Sequence, residues 1–336
     1  MKRWWHMALV LVFLTGCQRE QLPEGDPMDF SVTSSLQTKS PAAEQPDDES
    51  FLIAQGNQVR LYGTWSKAGQ EDEQIFTAQT LTCQEDLSWD YTPVKYWRKY
   101  GTYSFAAVYP MTECLAGTSG KGLLVRHSLV YSANPVDLMV AHARRTVASD
   151  FSPVELPFKH ACAAVRFLFK RASASYSYHL KSFQLENLRV SGTLDTSGGN
   201  LSLSSWHTSG LAPDDEVYPW EASTVSDYKE IPLSYDDYTT QAQWYYMIPQ
   251  RMSPESGYAH PAVTFSVIYN NEPTPVTTTL LLPDSYVEGG VPVEAVWEPG
   301  KVYNYYINLQ PSRVAITVHV TDWEEKTLVV NDLTFD

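Results

Sequence analysis

Residues 28–33 read Met-Asp-Phe-Ser-Val-Thr, and apolar and polar side chains alternate strictly along them. Met28, Phe30 and Val32 would share one face, because successive side chains of a β-strand point to opposite sides. Residues 34–50 contain mainly Ser, Thr, Pro and acidic residues without an apolar period, which is typical of a loop. The sequence therefore predicts one half-buried strand that a long loop separates from the next.

The same alternation recurs in short segments along the rest of the chain. Many short strands separated by turns predict an all-β fold of antiparallel β-sandwiches. Pro135–Ala148 is the one segment whose pattern also allows a helix of more than two turns. The main strand segments are 59–65, 103–109, 163–169, 244–248, 263–269, 277–282, 303–309 and 314–320.

A Pro-rich joint at Val154–Pro157 divides the predicted strands into two groups. We expect residues 51–153 to form an N-terminal β-sandwich and residues 154–336 a C-terminal one. Residues 17–50 would then hold a tether, the first strand and the loop that follows it.

The N-terminus has the features of an export signal. Lys2 and Arg3 precede a short apolar stretch, Met7–Leu14. A permanent transmembrane helix needs about 20 apolar residues, so this stretch predicts a cleaved signal peptide over residues 1–16.

The tetrapeptide Leu-Thr-Gly-Cys at residues 14–17 resembles the bacterial lipobox, in which the cysteine is acylated and becomes the first mature residue. The alternative is an ordinary signal peptide cut close to a cysteine. We expect lipid on Cys17, because two or three acyl chains anchor a protein durably to a membrane. The expected location is the outer membrane and the cell surface.

Charge excludes several kinds of partner. The chain has 24 Lys and Arg against 39 Asp and Glu, a net charge of −15, and removal of residues 1–16 with Lys2 and Arg3 gives 22 − 39 = −17. Nucleic-acid binders need a basic face, so no nucleic-acid partner is expected. The same charge argues against attraction to anionic lipid.

No group of residues has the spacing of a catalytic, cofactor-binding or metal site. The eight histidines lack the His-Glu-x-x-His pattern, and the glycines at 117–122 lack phosphate-loop spacing. No Cys-x-x-Cys pair occurs among Cys83, Cys114 and Cys162. The sequence is compatible either with one disulfide between two of them or with three separately buried thiols. The sequence predicts a protein that is not an enzyme and has no cofactor.

In their order along the chain, the segments resemble the fimbrillin (Mfa-like) family, the lipoprotein pilins of Gram-negative anaerobes. The matching segments are Cys17, Met28–Phe30, Val59–Tyr62, Tyr103–Pro110, Leu156–Phe169, Met247–Gln250, Trp297–Leu309 and Val318–Trp323.

The resemblance implies two transthyretin-like β-sandwich domains and a structural subunit of adhesive fimbriae, as stalk, tip or anchor. Its partners would be other fimbrial subunits, the outer membrane, a processing protease and a host or bacterial surface ligand. In polymerising members an extracellular protease cuts after a basic residue in the loop that follows the first strand. A strand of the next subunit then fills the groove left by the first strand.

In this chain the resemblance points to Lys39 as the cleavage site, since Lys39 is the only basic residue of the loop 34–50. The best-known processing proteases favour Arg, so the identity of the protease and the cut itself stay open. Met28, Phe30 and Val32 would be the displaced strand.

The C-terminal tail is the candidate donor strand. Val329, Leu333 and Phe335 share one parity, although Asn331 interrupts the stripe. A strand that only completes its own sandwich would have the same pattern. The alternative function is a surface lipoprotein that never polymerises and binds glycans through exposed aromatic side chains.

Lipidation of Cys17 predicts that mass spectrometry of the membrane-extracted precursor finds an acylated N-terminus at this residue. Cys17→Ser is the control and should yield an uncleaved or released protein. An unmodified N-terminus elsewhere in the wild-type protein would contradict the prediction.

Overall fold

A computed structural model describes most of the chain from residue 25 onward. In this part of the chain no helix is both long and apolar enough to cross a membrane. The described residues are 25–34, 55–111, 114–116, 122–129, 137–146, 151–208, 213, 216–235, 244–270, 272–288, 291–310, 313–322 and 327–328.

These residues form 25 strands, and two 3-10 turns, at Leu203–Ser205 and Val225–Asp227, so the all-β prediction is confirmed. The strands are β1 (Phe30–Ser34), β2 (Gln58–Ser66), β3 (Glu73–Cys83), β4 (Trp89–Asp90), β5 (Thr102–Tyr109), β6 (Cys114–Ala116), β7 (Leu123–Ser128), β8 (Met139–Thr146), β9 (Val154–His160), β10 (Ala163–Arg171), β11 (Tyr178–Glu186), β12 (Ser191–Asp195), β13 (Trp206–His207), β14 (Val217–Glu221), β15 (Lys229–Glu230), β16 (Tyr245–Met247), β17 (Gln250–Arg251), β18 (Ala262–Tyr269), β19 (Val276–Leu281), β20 (Ser285–Glu288), β21 (Val291–Glu294), β22 (Val296–Trp297), β23 (Lys301–Gln310), β24 (Arg313–Asp322) and β25 (Thr327–Leu328).

The N-terminal strands form a barrel that closes in the order β1-β4-β3-β2-β5-β8-β9. Its interior is rich in aromatic side chains that meet edge to face or stack. Trp97 lies 4.8 Å from Tyr103, and Tyr103 stacks on Phe105 at 6.0 Å between ring centroids. Such pairs add about 0.5–1.5 kcal/mol to the free energy of their burial.

The C-terminal strands form two sheets that pack face to face as a sandwich. One sheet has the order β16-β10-β23-β24-β25, and the other has the order β14-β11-β18-β19 with β15 beside β11. Phe167 and Phe169 of β10 reach across to Phe183 of β11 and Phe265 of β18, with ring centroids 5.3 and 5.1 Å apart. A smaller sheet, β13-β12-β7-β6, shares the same core through Val125.

Two pairings in the sheets are parallel, whereas the sequence predicted antiparallel sandwiches. β1 runs parallel to β9, and β10 runs parallel to β23. Parallel neighbours need a long crossover, and many strands separate the members of each pair along the chain.

Strand pairing does not follow the predicted division between residues 153 and 154. β9 lies beyond that division, yet it pairs with β8 and β1 of the barrel. β7 lies before it, yet it pairs with β12. Val154, Leu156 and Phe158 point into the barrel core, so their apolar alternation outweighs the Pro-rich composition of this segment.

The helix allowed at Pro135–Ala148 is wrong, since the described part of this segment contains strand β8. Met139 and Ala141 face the barrel core, while Leu138 and Val140 face the core of the sandwich. An apolar run buried on both faces has no period of two, which is why its pattern also allowed a helix.

Burial of His127 on β7 predicts a stability that depends on pH. The ring of His127 lies edge-on to Trp206, with centroids 6.2 Å apart, and burial lowers its pKa to about 4. The unfolded chain therefore binds more protons between pH 6.5 and 4, so stability falls as the pH falls through this window. The loss attributable to His127 is about 3 kcal/mol, at about 1.4 kcal/mol per pKa unit.

Urea unfolding at pH 7 and pH 4.5 should show a smaller loss of stability for His127→Gln than for the wild type. The exposed His207 is the matched control, and His207→Gln should keep the wild-type dependence. Equal losses in the wild type and His127→Gln would contradict the assignment.

Candidate functional site

Strand β1 is the member that closes the barrel, and we call the space it fills the β1 slot. Five consecutive residues of β1, from Phe30 to Ser34, pair with residues 154–158 of β9. On its other side Phe30 pairs with Trp89 of β4. The hydroxyl of Thr33 also donates a hydrogen bond to Glu155 at 3.1 Å.

The residues just before β1 are held by backbone hydrogen bonds to the segment 95–97. The N–H of Met28 donates to the carbonyl of Lys95 at 2.8 Å, and the N–H of Trp97 donates to the carbonyl of Asp26 at 3.0 Å. A side chain at Gly25 would bring a Cβ atom within 2.1 Å of the Trp97 carbonyl oxygen. Glycine is therefore required where the chain enters the barrel.

The apolar side chains of this segment are part of the barrel core. Met28, Phe30 and Val32 are 1%, 5% and 6% exposed. Burial of an apolar side chain of this size adds about 1.5–3 kcal/mol to the free energy of unfolding.

The centre of the β1 slot is aromatic. The ring of Phe30 meets Phe76, Tyr91 and Phe105 edge to face, with centroids 5.6, 5.7 and 5.4 Å apart. The hydroxyl of Tyr91 donates to the carbonyl of Met28 at 2.8 Å. The slot thus accommodates a strand that carries a large aromatic side chain at its first position.

Removal of β1 would leave unpaired backbone groups and an exposed apolar surface in the barrel. The N–H and C=O groups of β9 that face β1 would lose their partners, and an apolar slot would open beside Phe76 and Phe105. Unpaired strand edges of this kind are templates for the addition of another strand. The geometry therefore suits binding of an extended segment.

Several residues predicted to act with this strand lie outside the described residues, namely Cys17, Lys39, Val329, Leu333 and Phe335. The described part of the tail, β25, pairs with β24 of its own sheet through Leu328 with Val320 and Thr327 with Thr321. A tail that completes its own sandwich would begin in this way, so the alternative to donation stays open.

Two cysteine side chains are described, those of Cys83 and Cys162. Both are buried free thiols. Burial raises the pKa of Cys162 well above its usual value. Both described thiols therefore act as core residues.

His160 and Asp137 are a buried pair of ionisable residues. Nδ1 of His160 contacts a carboxylate oxygen of Asp137, and both side chains are buried. Burial raises the pKa of Asp137, and the neighbouring His160 partly opposes this. Within the described residues no group of His, Cys, Asp and Glu could hold a metal ion.

The alternation of residues 28–33 indicated the three buried side chains, but not their partners. Tyr91, Lys95, Trp97 and Glu155 are distant from β1 in sequence and carry no motif. Only the closed barrel brings them to this strand.

The sequence matches the model of the fimbrillin-like family over residues 43–323. A comparison with curated protein sequences finds no match.

The solved structures that are similar to this chain include two cell adhesion proteins and one fimbrial protein. A candidate cell adhesion protein from Bacteroides ovatus has a TM-score of 0.56 and 15% identity, over 90% of this chain and 99% of the other. One from Bacteroides uniformis has a TM-score of 0.50 and 17% identity, over 88% and 99%. The tip fimbrial protein Mfa3 from Porphyromonas gingivalis, truncated at its C-terminus, has a TM-score of 0.43 and 12% identity, over 84% and 97%. At these identities the two Bacteroides structures establish a shared fold.

The packing of Phe30 predicts that Phe30→Ala lowers the free energy of unfolding of the intact chain by about 3–5 kcal/mol. Ser31→Ala is the matched control, because Ser31 is the next residue on the opposite face, and its cost should stay below about 1 kcal/mol. Urea unfolding measures both. Similar costs for the two variants would mean that the assigned faces of β1 are wrong.

Proposed function

Since the chain belongs to the fimbrillin-like family, we propose that it is a fimbrial subunit that assembles by exchange of β1 for a strand of another subunit. Membership of this family supports a structural role as a fimbrial or adhesion subunit at the cell surface, and not an enzymatic one.

The observation that carries the proposal is the place of β1 in the barrel. This strand is buried, it closes the ring between β4 and β9, and it immediately precedes the loop that contains Lys39. A cut in that loop would leave β1 attached to the barrel only by non-covalent contacts. Loss of β1 would then expose the β1 slot to a strand from a second molecule.

The position of Lys39 supports cleavage in this loop. Lys39 follows the last residue of β1 by five positions, and the next basic residue is Arg60. Arg60 lies within β2, where it pairs with Thr80 of β3 and Val108 of β5. A protease specific for basic residues should therefore cut at Lys39 before it cuts at Arg60.

The C-terminal tail is the proposed donor. Val329, Leu333 and Phe335 would enter the β1 slot in place of the apolar residues of β1. Among the described residues, β25 forms two residue pairs with β24, and β1 forms five with β9. Head-to-tail donation between identical chains produces an open filament.

Export and anchoring complete the proposal. A lipid on Cys17 would hold the precursor at the outer membrane through the segment that precedes β1. Cleavage after Lys39 by an extracellular protease would release the remaining 336 − 39 = 297 residues from this tether. Its partners would be other fimbrial subunits and a host or bacterial surface ligand, in a stalk, tip or anchor position.

Limited trypsin digestion of the intact chain tests cleavage and assembly together. We expect a cut after Lys39 before any cut at Arg60, followed by a ladder of polymers that resists mild denaturant. Lys39→Gln is the control and should remain monomeric under the same treatment. A cut wild-type chain that stays monomeric would instead favour the lipoprotein that binds glycans without polymerising.

A chain that ends at Glu324 separates donation from folding. Removal of residues 325–336 breaks two residue pairs in the described part of the chain. The truncated chain should therefore keep its thermal transition and, once cut after Lys39, stay monomeric. Loss of the transition would mean that the tail belongs to its own sandwich. Polymerisation of the truncated chain would exclude this tail as the donor.

A further inference from the structure

A polar cleft lies on the C-terminal sandwich, in a different sheet system from the β1 slot. Its volume is about 180 Å³. The residues that line it include Arg189, Gln250, Glu255 and Tyr258.

Arg189 lies at the bottom of the cleft, and its side chain is 7% exposed. Its guanidinium donates to the carbonyl of Thr208 at 3.0 Å and to a carboxylate oxygen of Glu255 at 2.5 Å. The backbone N–H of Arg189 donates to the side-chain oxygen of Gln250 at 2.9 Å, and the Gln250 amide donates back to the Arg189 carbonyl at 3.2 Å. The polar groups are therefore already oriented before any ligand arrives.

Charge in the cleft is balanced. Glu255 compensates Arg189, and Arg251 at the edge of the cleft pairs with Glu294. The side chain of Glu255 is 61% exposed, so its carboxylate also faces solvent and can accept hydrogen bonds from a ligand. A lining of this kind favours a neutral ligand with several hydroxyl groups over an anion.

An aromatic ring stands at the rim. Tyr258 is 44% exposed, and its ring centroid lies 5.9 Å from the guanidinium carbon of Arg189. A turn holds the ring in place, because the N–H of Tyr258 donates to the carbonyl of Glu255 at 3.0 Å and Gly257 has a φ of +90°. Tyr258 thus presents an apolar face beside fixed hydrogen-bonding groups.

We propose that this cleft binds one neutral hexopyranose residue of a glycan. A pyranose ring offers C–H groups to an aromatic face, which Tyr258 provides, and hydroxyl donors to a carboxylate, which Glu255 provides. Gln250 instead orients Arg189, because its amide N–H groups donate to the carbonyls of Arg189 and Ile248. Pockets for drug-sized ligands have volumes of about 300–1,000 Å³, so the smaller cleft suits a single sugar ring. The inference does not depend on strand exchange, since no residue of the cleft belongs to β1 or its neighbours.

Calorimetric titration of the full-length chain with methyl glycosides of glucose, galactose, mannose and N-acetylglucosamine tests the proposal, with glucuronate as an acidic probe. At least one neutral glycoside should bind, and Tyr258→Ala should weaken it about tenfold or more. Tyr100→Ala is the matched control, because Tyr100 is an exposed tyrosine on the barrel, and it should leave the affinity unchanged.

Glu255→Gln should change the preference of the cleft between acidic and neutral sugars, an effect that unfolding of the variant would not produce. This variant leaves the charge of Arg189 uncompensated, so the ratio of glucuronate affinity to neutral-glycoside affinity should rise about tenfold. Circular dichroism checks that each variant is folded. The proposal is overturned if the wild type binds none of the four neutral glycosides, if it prefers glucuronate, or if Tyr258→Ala and Glu255→Gln leave binding unaltered.

Discussion

The barrel depends on the pairing of β1 with β9. Without β1, strands β4 and β9 become edges, and the aromatic cluster around Phe30 loses its central ring. The strand is short, yet it combines five backbone pairs with two buried apolar side chains, Phe30 and Val32, and a third, Met28, precedes it. The closed barrel therefore depends on a strand that is joined covalently to the other strands only through the residues that follow Ser34.

The barrel and the sandwich are joined by strands that are buried on both faces. Val108 on β5 and Val140 on β8 point away from the barrel and into the core of the sandwich, while Ala107 and Ala141 point inward. β9 leads into β10 after only two residues, Ala161 and Cys162, both fully buried. Phe30 and Val32 of β1 lie in the barrel core and not in that of the sandwich, so exchange of β1 would leave the larger core intact.

The sequence predicted strands and their buried residues correctly where a strand has one buried face. Alternation identified Met28, Phe30 and Val32 as buried, and repeated short alternating segments gave the all-β fold. Prediction from the sequence failed for β8, where both faces are buried and the pattern also allowed a helix. It failed again for β9, where a segment that contains Pro157 was taken as a joint although its apolar residues alternate as in a strand. It also could not find the cleft, since Arg189, Gln250 and Tyr258 meet only through the packing of separate segments.

The proposed assembly has an energetic requirement that follows from the contacts before β1. An incoming strand must replace five pairs with β9 and two buried side chains of β1. The segment before β1 also buries Met28 and holds backbone hydrogen bonds to Lys95 and Trp97. In the intact chain the loop keeps β1 at a high effective concentration, which a separate donor strand cannot match. A cut in the loop removes that advantage without altering any contact in the β1 slot. Cleavage would then act on the connection of the strand and not on its packing, so a precursor that is stable as a monomer becomes competent to accept a strand from its neighbour.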